Sequence, residues 1–287
     1  MSVRISTNQV LQTGVQAMDN SLADAMAWQK KIDTGKNYSA ASDNAYAMAR
    51  GVRLDFDTAK LTMFTQNQNF VASSMSNTDT QLGSVVNQMN SLKQLMVQSQ
   101  DGSLNTTDYA ALQQAAQGYL DTIKQQSTAV DGTGAPIFPK TATINQVQIE
   151  PNVMVNTAVK FTDAFGGSGS SKTDVVQKIQ DFVDYLGKMA AGNNPGATSQ
   201  KAVADGLDAA FNQLTVVQEG AGSIAKQVDN SKNATASIGT QLQATSSALL
   251  DTDMAAATAA YTRSQTILSA AQAMFAKISQ SDLFSKL

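Results

Sequence analysis

Apolar residues recur along this chain in alternating steps of four and three. Leu11, Val15, Met18, Leu22, Ala25 and Ile32 make the first stripe, with Gln29 at one seam position. That spacing predicts a coiled-coil-like helix face. It runs into Thr34-Gly35-Lys36-Asn37, where the glycine predicts a helix stop. A second stripe, Val71, Met75, Thr78, Leu82, Val85, Met89, Leu92 and Met96, ends at the turn signal Asp101-Gly102-Ser103. Asn105-Thr106-Thr107-Asp108 supplies N-cap candidates for a third helix. Its stripe is Leu112, Ala116, Tyr119, Ile123 and Val130, up to Asp131-Gly132.

The second half is more regular. Val203, Leu207, Ala210, Leu214, Val217, Ala221, Ile224, Val228, Ser231, Thr235, Ile238, Leu242, Thr245 and Leu249 keep the alternation without a slip. At a rise of about 1.5 Å per residue this predicts a helix on the order of 70 Å long. The phase then shifts by one: Leu250, Met254, Ala257, Tyr261, Ser264, Leu268, Ala271, Phe275 and Ile278 form a new stripe. A jump in phase predicts a helix break or domain boundary near Leu250-Asp251-Thr252-Asp253.

The middle of the chain has another period. Val147/Ile149 and Val153/Val155 alternate on either side of Glu150-Pro151-Asn152, which predicts two short strands joined by a turn. Residues 166–171, Gly-Gly-Ser-Gly-Ser-Ser, read as a flexible linker. Val175, Val176, Ile179, Val183, Leu186 and Ala190 predict a short amphipathic helix that ends at Gly192-Asn193-Asn194-Pro195.

Composition changes this picture in three ways. All four prolines, Pro136, Pro139, Pro151 and Pro195, fall in the middle stretch. Proline breaks helix interiors, so both flanks are free to be long helices. The seams carry Ala, Thr, Ser and Met where a seam built for stability prefers Leu and Ile. Either the bundle is loosely packed, or the terminal stripes pack mainly against neighbouring copies. Glu150 and Glu219 are the sole glutamates among 23 acidic residues, so ion pairs along helix faces contribute little.

The chemistry search excludes more than it finds. There is no cysteine and no histidine in 287 residues. Disulfides, thiolate metal sites, cysteine nucleophiles and the commonest general base are absent with them. A net charge of −3 argues against nucleic-acid binding. Gly132-Thr133-Gly134 lacks the Gly-Lys-Ser/Thr of a phosphate loop. Asp251 and Asp253 read as helix caps, without the ligand series of a calcium loop. Lys30, Lys31 and Lys36 beside Trp28 read as a solvated helix edge, and Met63 with Phe64 as core. No apolar stretch approaches a transmembrane span, and the N-terminus lacks the pattern of a cleaved signal peptide. These features fit a cytosolic protein or one exported without such a signal.

Both ends carry a resemblance. Arg4-Ile5-Ser6-Thr7, the helix after it, and Ile32-Asp33-Thr34-Gly35-Lys36-Asn37-Tyr38-Ser39-Ala40-Ala41-Ser42-Asp43-Asn44 resemble the start of bacterial flagellins and hook-associated proteins. Asn44-Ala45 stands where that family often has Asp-Pro. Leu92–Asn105 is similar to the family's inner helix and following turn. Asp251-Thr252-Asp253-Met254-Ala255, Gln265–Ile278 and the final Asp282-Leu283-Phe284-Ser285-Lys286-Leu287 resemble its hook–filament junction branch. So do Val147–Asn156 and Asp163-Ala164-Phe165-Gly166, with Asn152 in a glycine place. Ala135-Pro136-Ile137-Phe138-Pro139 departs from the branch's pattern.

The resemblance implies a mainly α fold: a long coiled-coil-like bundle from the N- and C-terminal segments, with a small β-containing outer insertion. Residues 1–45 and 250–287 would form a terminal helical domain, 46–135 and 172–249 a second helical domain, and 136–171 the insertion. It implies a non-enzymatic structural subunit between hook-associated protein 1 and the flagellin filament, with a minor flagellin as the alternative. The expected partners are copies of itself in a ring-like layer, hook-associated protein 1, flagellin and the export chaperone FlgN. No cofactor, metal, nucleic acid or membrane is expected. Secretion would run through the flagellar type III apparatus. The expected assembly residues are Leu11, Val15, Met18, Leu22, Leu250, Met254, Tyr261, Leu268, Phe275 and Ile278.

Overall fold

The computed structural model describes residues 7–141, 143–167 and 171–284, and for residues 7, 8, 10, 11 and 278–284 the backbone alone. Arg4-Ile5-Ser6, the last three residues and the centre of the expected linker lie outside the described residues. Among the described residues seven helices and two strands follow one another: α1 (Thr7–Thr34), α2 (Ala45–Gln98), α3 (Thr106–Ser127), β1 (Gln146–Glu150), β2 (Val153–Asn156), α4 (Phe161–Phe165), α5 (Val175–Ala190), α6 (Ala197–Leu250) and α7 (Met254–Phe284). The fold is mainly α. The strands pair antiparallel as a single hairpin, turned by Pro151 and by Asn152 in the left-handed region at φ 64°. The chain divides into two compact units: Leu61–Ser237, and the described residues up to Lys60 with those from Ile238 onward.

The core of the first unit lies where the alternation predicts it. Val71, Met75, Thr78, Leu82, Val85, Met89, Leu92 and Met96 are all buried. From Leu82 onward they meet Leu112, Ala116, Leu120 and Ile123 of α3, Ile179, Phe182 and Leu186 of α5, and Leu207, Ala210 and Leu214 of α6. The middle segment joins this core through Phe138 and Phe165. Their rings meet edge-to-face, with centroids 5.1 Å apart and planes at 84°. Such a pair is favourable beyond the area it buries. A second cluster holds the hairpin, with Ile149 and Val155 against Val71, Met75, Ala221 and Val228.

Local signals set the element ends. The Asn105 side chain accepts the backbone N–H groups of Thr107 and Asp108, and Asp108 returns a bond to the Asn105 N–H. This capping box starts α3. Asp174 caps α5 through the Gln177 N–H at 3.0 Å. Gly166 ends α4 at φ 71°, and a β-carbon there would run into the Thr173 backbone carbonyl. Gln213 ties the same loop: its Nε2 donates to the Ala164 and Thr173 carbonyls, and its Oε1 accepts the Thr173 N–H.

Three expected contacts are not core. Met63, Val130 and Ile238 are exposed, while Phe64 is buried as expected. Helix phase explains the first: with Phe64, Gln68 and Val71 turned inward, Met63 is carried to the outer face of α2. Val130 lies two residues past the capping residue of α3, where the helical period no longer applies.

Candidate assembly interface

The second unit is built on α1 running along α7. Gly35, at φ 66°, ends α1. The Asp43 carboxylate organises the loop that follows by accepting the Ser39 and Ala40 N–H groups at 3.0 Å each and the Ser39 hydroxyl at 3.3 Å. Those backbone donors, with Lys30 nearby, hold its pKa below the ordinary 3.8. The Asn44 side chain accepts the Ala47 N–H at the start of α2. The break between α6 and α7 is stitched to this loop. The Asn37 N–H donates to the Leu250 carbonyl at 2.6 Å, and the Thr252 N–H donates to the Gly35 carbonyl at 2.9 Å. Asp253 then caps α7, accepting the Ala255 and Ala256 N–H groups.

The expected interface residues divide into three groups. Leu250 is buried, and Met18, Tyr261, Leu268 and Phe275 are half-buried within the unit. Val15, Leu22 and Met254 are 42%, 47% and 46% exposed. Leu11 and Ile278 lie on α1 and α7, but their side chains lie outside those described. Leu250 at the end of α6 and Ala257, Tyr261, Ser264, Leu268, Ala271 and Phe275 of α7 form the sheltered face, as their spacing predicts, whereas Met254 of the same stripe is exposed. On α1 the sheltered face is displaced by one position from Val15 and Leu22. Gly14, Met18, Ser21, Ala25, Trp28 and Ile32 make it, again in steps of four and three. Gly14 lies on this face opposite Phe275: a β-carbon there would stand in ordinary contact, 3.8 Å from the Phe275 ring.

What faces solvent is apolar as well. Val15, Leu22 and Met26 on α1, and Met254, Ile267 and Met274 on α7, are exposed. The expected solvated edge at Trp28 is more ordered than the charge run alone implies. Lys31 Nζ sits 4.6 Å from the Trp28 ring centroid and donates to Asn37 Oδ1 at 2.9 Å. This contact joins the end of α1 to the loop.

Among the described residues no group of three or more Asp or Glu side chains is placed to hold a metal ion. Asp101 and Asp131 are held below the ordinary carboxylate range by hydrogen bonds within their own turns. Burial, and then the nearby Tyr109 phenol, raise the Tyr185 phenol. Among the described residues no helix is long and apolar enough to cross a membrane.

Comparison with known proteins supplies the decisive observation. Residues 5–143 match the bacterial flagellin N-terminal helical region, and residues 204–285 match the flagellin C-terminal helical region. The chain belongs to the flagellin-like family. Among its relatives in that family, flagellar hook-associated protein 3 of Escherichia coli is 26% identical over 136 residues, which is 47% of this chain and 43% of that protein. The hook-associated protein 3 of Salmonella typhimurium is 24% identical over 62% of this chain and 52% of its own. The chain thus spans about half the length of these curated relatives. A flagellin of Serratia marcescens is 24% identical over 71% of this chain and 56% of its own. The same fold occurs in FlgL of Xanthomonas campestris, with a TM-score of 0.54 and 16% identity over 68% of this chain and 99% of that one. It occurs also in the flagellar junction protein FlgL of Legionella pneumophila, with a TM-score of 0.56 and 11% identity over 70% of this chain and 100% of that one.

Proposed function

We propose that this flagellin-like chain is a non-enzymatic structural subunit of the bacterial flagellum. It forms a short layer between hook-associated protein 1 and the flagellin filament. The observation that carries the proposal is the terminal pair. The two family-matched ends form α1 and α7, which pack together and still expose Val15, Leu22, Met26, Met254, Ile267 and Met274. A pair that shelters one stripe and exposes another suits packing against neighbouring copies. Repetition of such contacts around a ring multiplies weak individual contacts. In this reading residues 1–45 and 250–287 form the axial part, 46–135 and 172–249 the surrounding helical part, and 136–171 the outer part. Leu11, Val15, Met18 and Leu22, with Leu250, Met254, Tyr261, Leu268, Phe275 and Ile278, stabilise the axial packing. Before export through the type III apparatus, FlgN holds the α7 stripe in the cytosol.

The match to flagellins over more than two thirds of this chain favours one rival, a minor flagellin. Labelling the protein in intact flagella separates the two. A single band of label at the hook–filament boundary is the expected result, and label along whole filaments overturns the junction reading.

A further inference from the structure

Three buried polar residues of the α2–α6 seam gather at one level. Gln68 of α2 is fully buried, and Ser231 and Thr235 of α6 are buried beside it. Gln68 Nε2 lies 2.8 Å from the Ile149 carbonyl oxygen, 2.9 Å from Ser231 Oγ and 2.9 Å from Thr235 Oγ1. An amide nitrogen carries two hydrogens, so three acceptors compete for two protons. The Ser231 hydroxyl also reaches the Ile149 carbonyl, at 3.3 Å. Next along α2, Asn67 Nδ2 donates to the Gln148 carbonyl at 2.7 Å.

The hairpin explains why that carbonyl needs helix donors. Gln148 pairs with Met154 and Glu150 pairs with Val153, which leaves Ile149 as an extra residue in β1. Such a bulge takes its residue out of the ladder and re-aims it. The Ile149 side chain is fully buried among Val71, Met75, Ala221 and Val228, and its carbonyl meets Gln68 and Ser231. A buried carbonyl without a partner is costly. Gln68 therefore serves two elements with one amide: it satisfies the bulge and bridges α2 to α6. Gln68 Oε1 accepts no hydrogen bond among the described residues, so this layer costs stability compared with an apolar one. A buried polar layer of that kind suits a role in specifying how helices pair.

We propose that Gln68 is a clasp that couples the seating of the β1–β2 hairpin to the pairing of α2 with α6 at Ser231 and Thr235. The hairpin cannot lift without stripping the seam of an acceptor, and the seam cannot loosen at this level without freeing the hairpin. A load on the hairpin is thereby passed to the long helices. The coupling rests on contacts within residues 61–237 and does not depend on the flagellar role.

Amide hydrogen exchange on the full chain tests it. With Gln68→Leu, the hairpin amides at Val147 and Val155 and the α6 amides at 231–237 lose protection together, by about tenfold, the effect of roughly one net buried hydrogen bond. Protection in α3 and α5 stays unchanged. Loss in the hairpin alone would make Gln68 a simple anchor and overturn the coupling, as would no loss in either. Thr235→Ala probes the clasp from the α6 side if Gln68→Leu does not fold, because Thr235 Oγ1 meets Gln68 Nε2, whereas Ser231 also bonds the Ile149 carbonyl directly. The hairpin amides then exchange faster although the hairpin itself is unaltered, and wild-type hairpin protection in that variant overturns the proposal.

Discussion

Gly51 of α2 offers a sharp test of the packing beside the terminal pair. Glycine inside a helix normally costs stability, and Gly→Ala there gains about 0.5–1 kcal/mol. At Gly51 the opposite sign is expected. A β-carbon there would stand 2.9 Å from Leu250 Cδ1, 3.5 Å from Cδ2 and 3.6 Å from Cγ. Carbon atoms in good contact are about 3.5–4.0 Å apart, so the first distance is well inside repulsion. A free leucine could rotate away. Leu250 is buried, so its side chain has little free space to turn into. Overpacking of this kind costs about 1–3 kcal/mol, which outweighs the helix gain and leaves Gly51→Ala a net loss of about 0.5–2 kcal/mol. Leu250→Ala alone costs about 2–4 kcal/mol. In that background the clash is gone, and Gly51→Ala becomes stabilising by about 0.5–1 kcal/mol. The double-mutant cycle then shows a coupling of about 1–3 kcal/mol. Because the chain forms two units, a single melting temperature is poorly defined. Exchange of the Asn37 and Thr252 amides, which close the stitch, is the suitable readout. A Gly51→Ala effect of one sign in both backgrounds refutes the reasoning.

Two further outcomes follow from the same kind of contact. Phe138→Ala removes a buried ring and its edge-to-face contact with Phe165, so unfolding of residues 61–237 is easier by about 3–5 kcal/mol in urea, while the Asn37 and Thr252 amides keep their exchange rates. Acid loosens the loop after α1 through Asp43. Its pKa is lower in the folded chain than the ordinary 3.8, so its contribution is complete above 3.8 and is lost as the pH falls through the depressed value. Fluorescence of Trp28, the one tryptophan, follows that loss because Lys31 links its ring to Asn37, and Asp43→Asn removes the acid-dependent step.

The long seams were the legible part of this fold. Every position of the stripe from Val71 to Met96 is buried, because two long helices packed side by side hide positions in steps of four and three. The stripe extends upstream through Leu61, Phe64 and Gln68, so the buried glutamine stood at a seam position in plain view. Its function was not legible, since its acceptor is a carbonyl 81 residues away whose exposure depends on a bulge. Phe138 and Phe165 were hidden for a similar reason. Each lies in a stretch without period, and only the chain's return brings the rings to 5.1 Å.

The displaced face of α1 shows where hydrophobic patterning misleads. Val15 and Leu22 are the larger apolar residues, yet Gly14, Ser21 and Ala25 are the more sheltered ones. Hydrophobicity ranks residues by what they gain when covered. A close helix pair ranks them by how little room they take. A contact made with glycine, serine and alanine removes little apolar area, and at about 25 cal/mol per Å² it contributes little stability. It also leaves the larger apolar residues on the outside, where a neighbouring copy can cover them. The face that α1 turns to α7 alternates the small residues Gly14, Ser21 and Ala25 with Met18, Trp28 and Ile32, and the face it withholds is apolar enough to be worth burying. That asymmetry supports the reading of the terminal pair as an element completed by assembly.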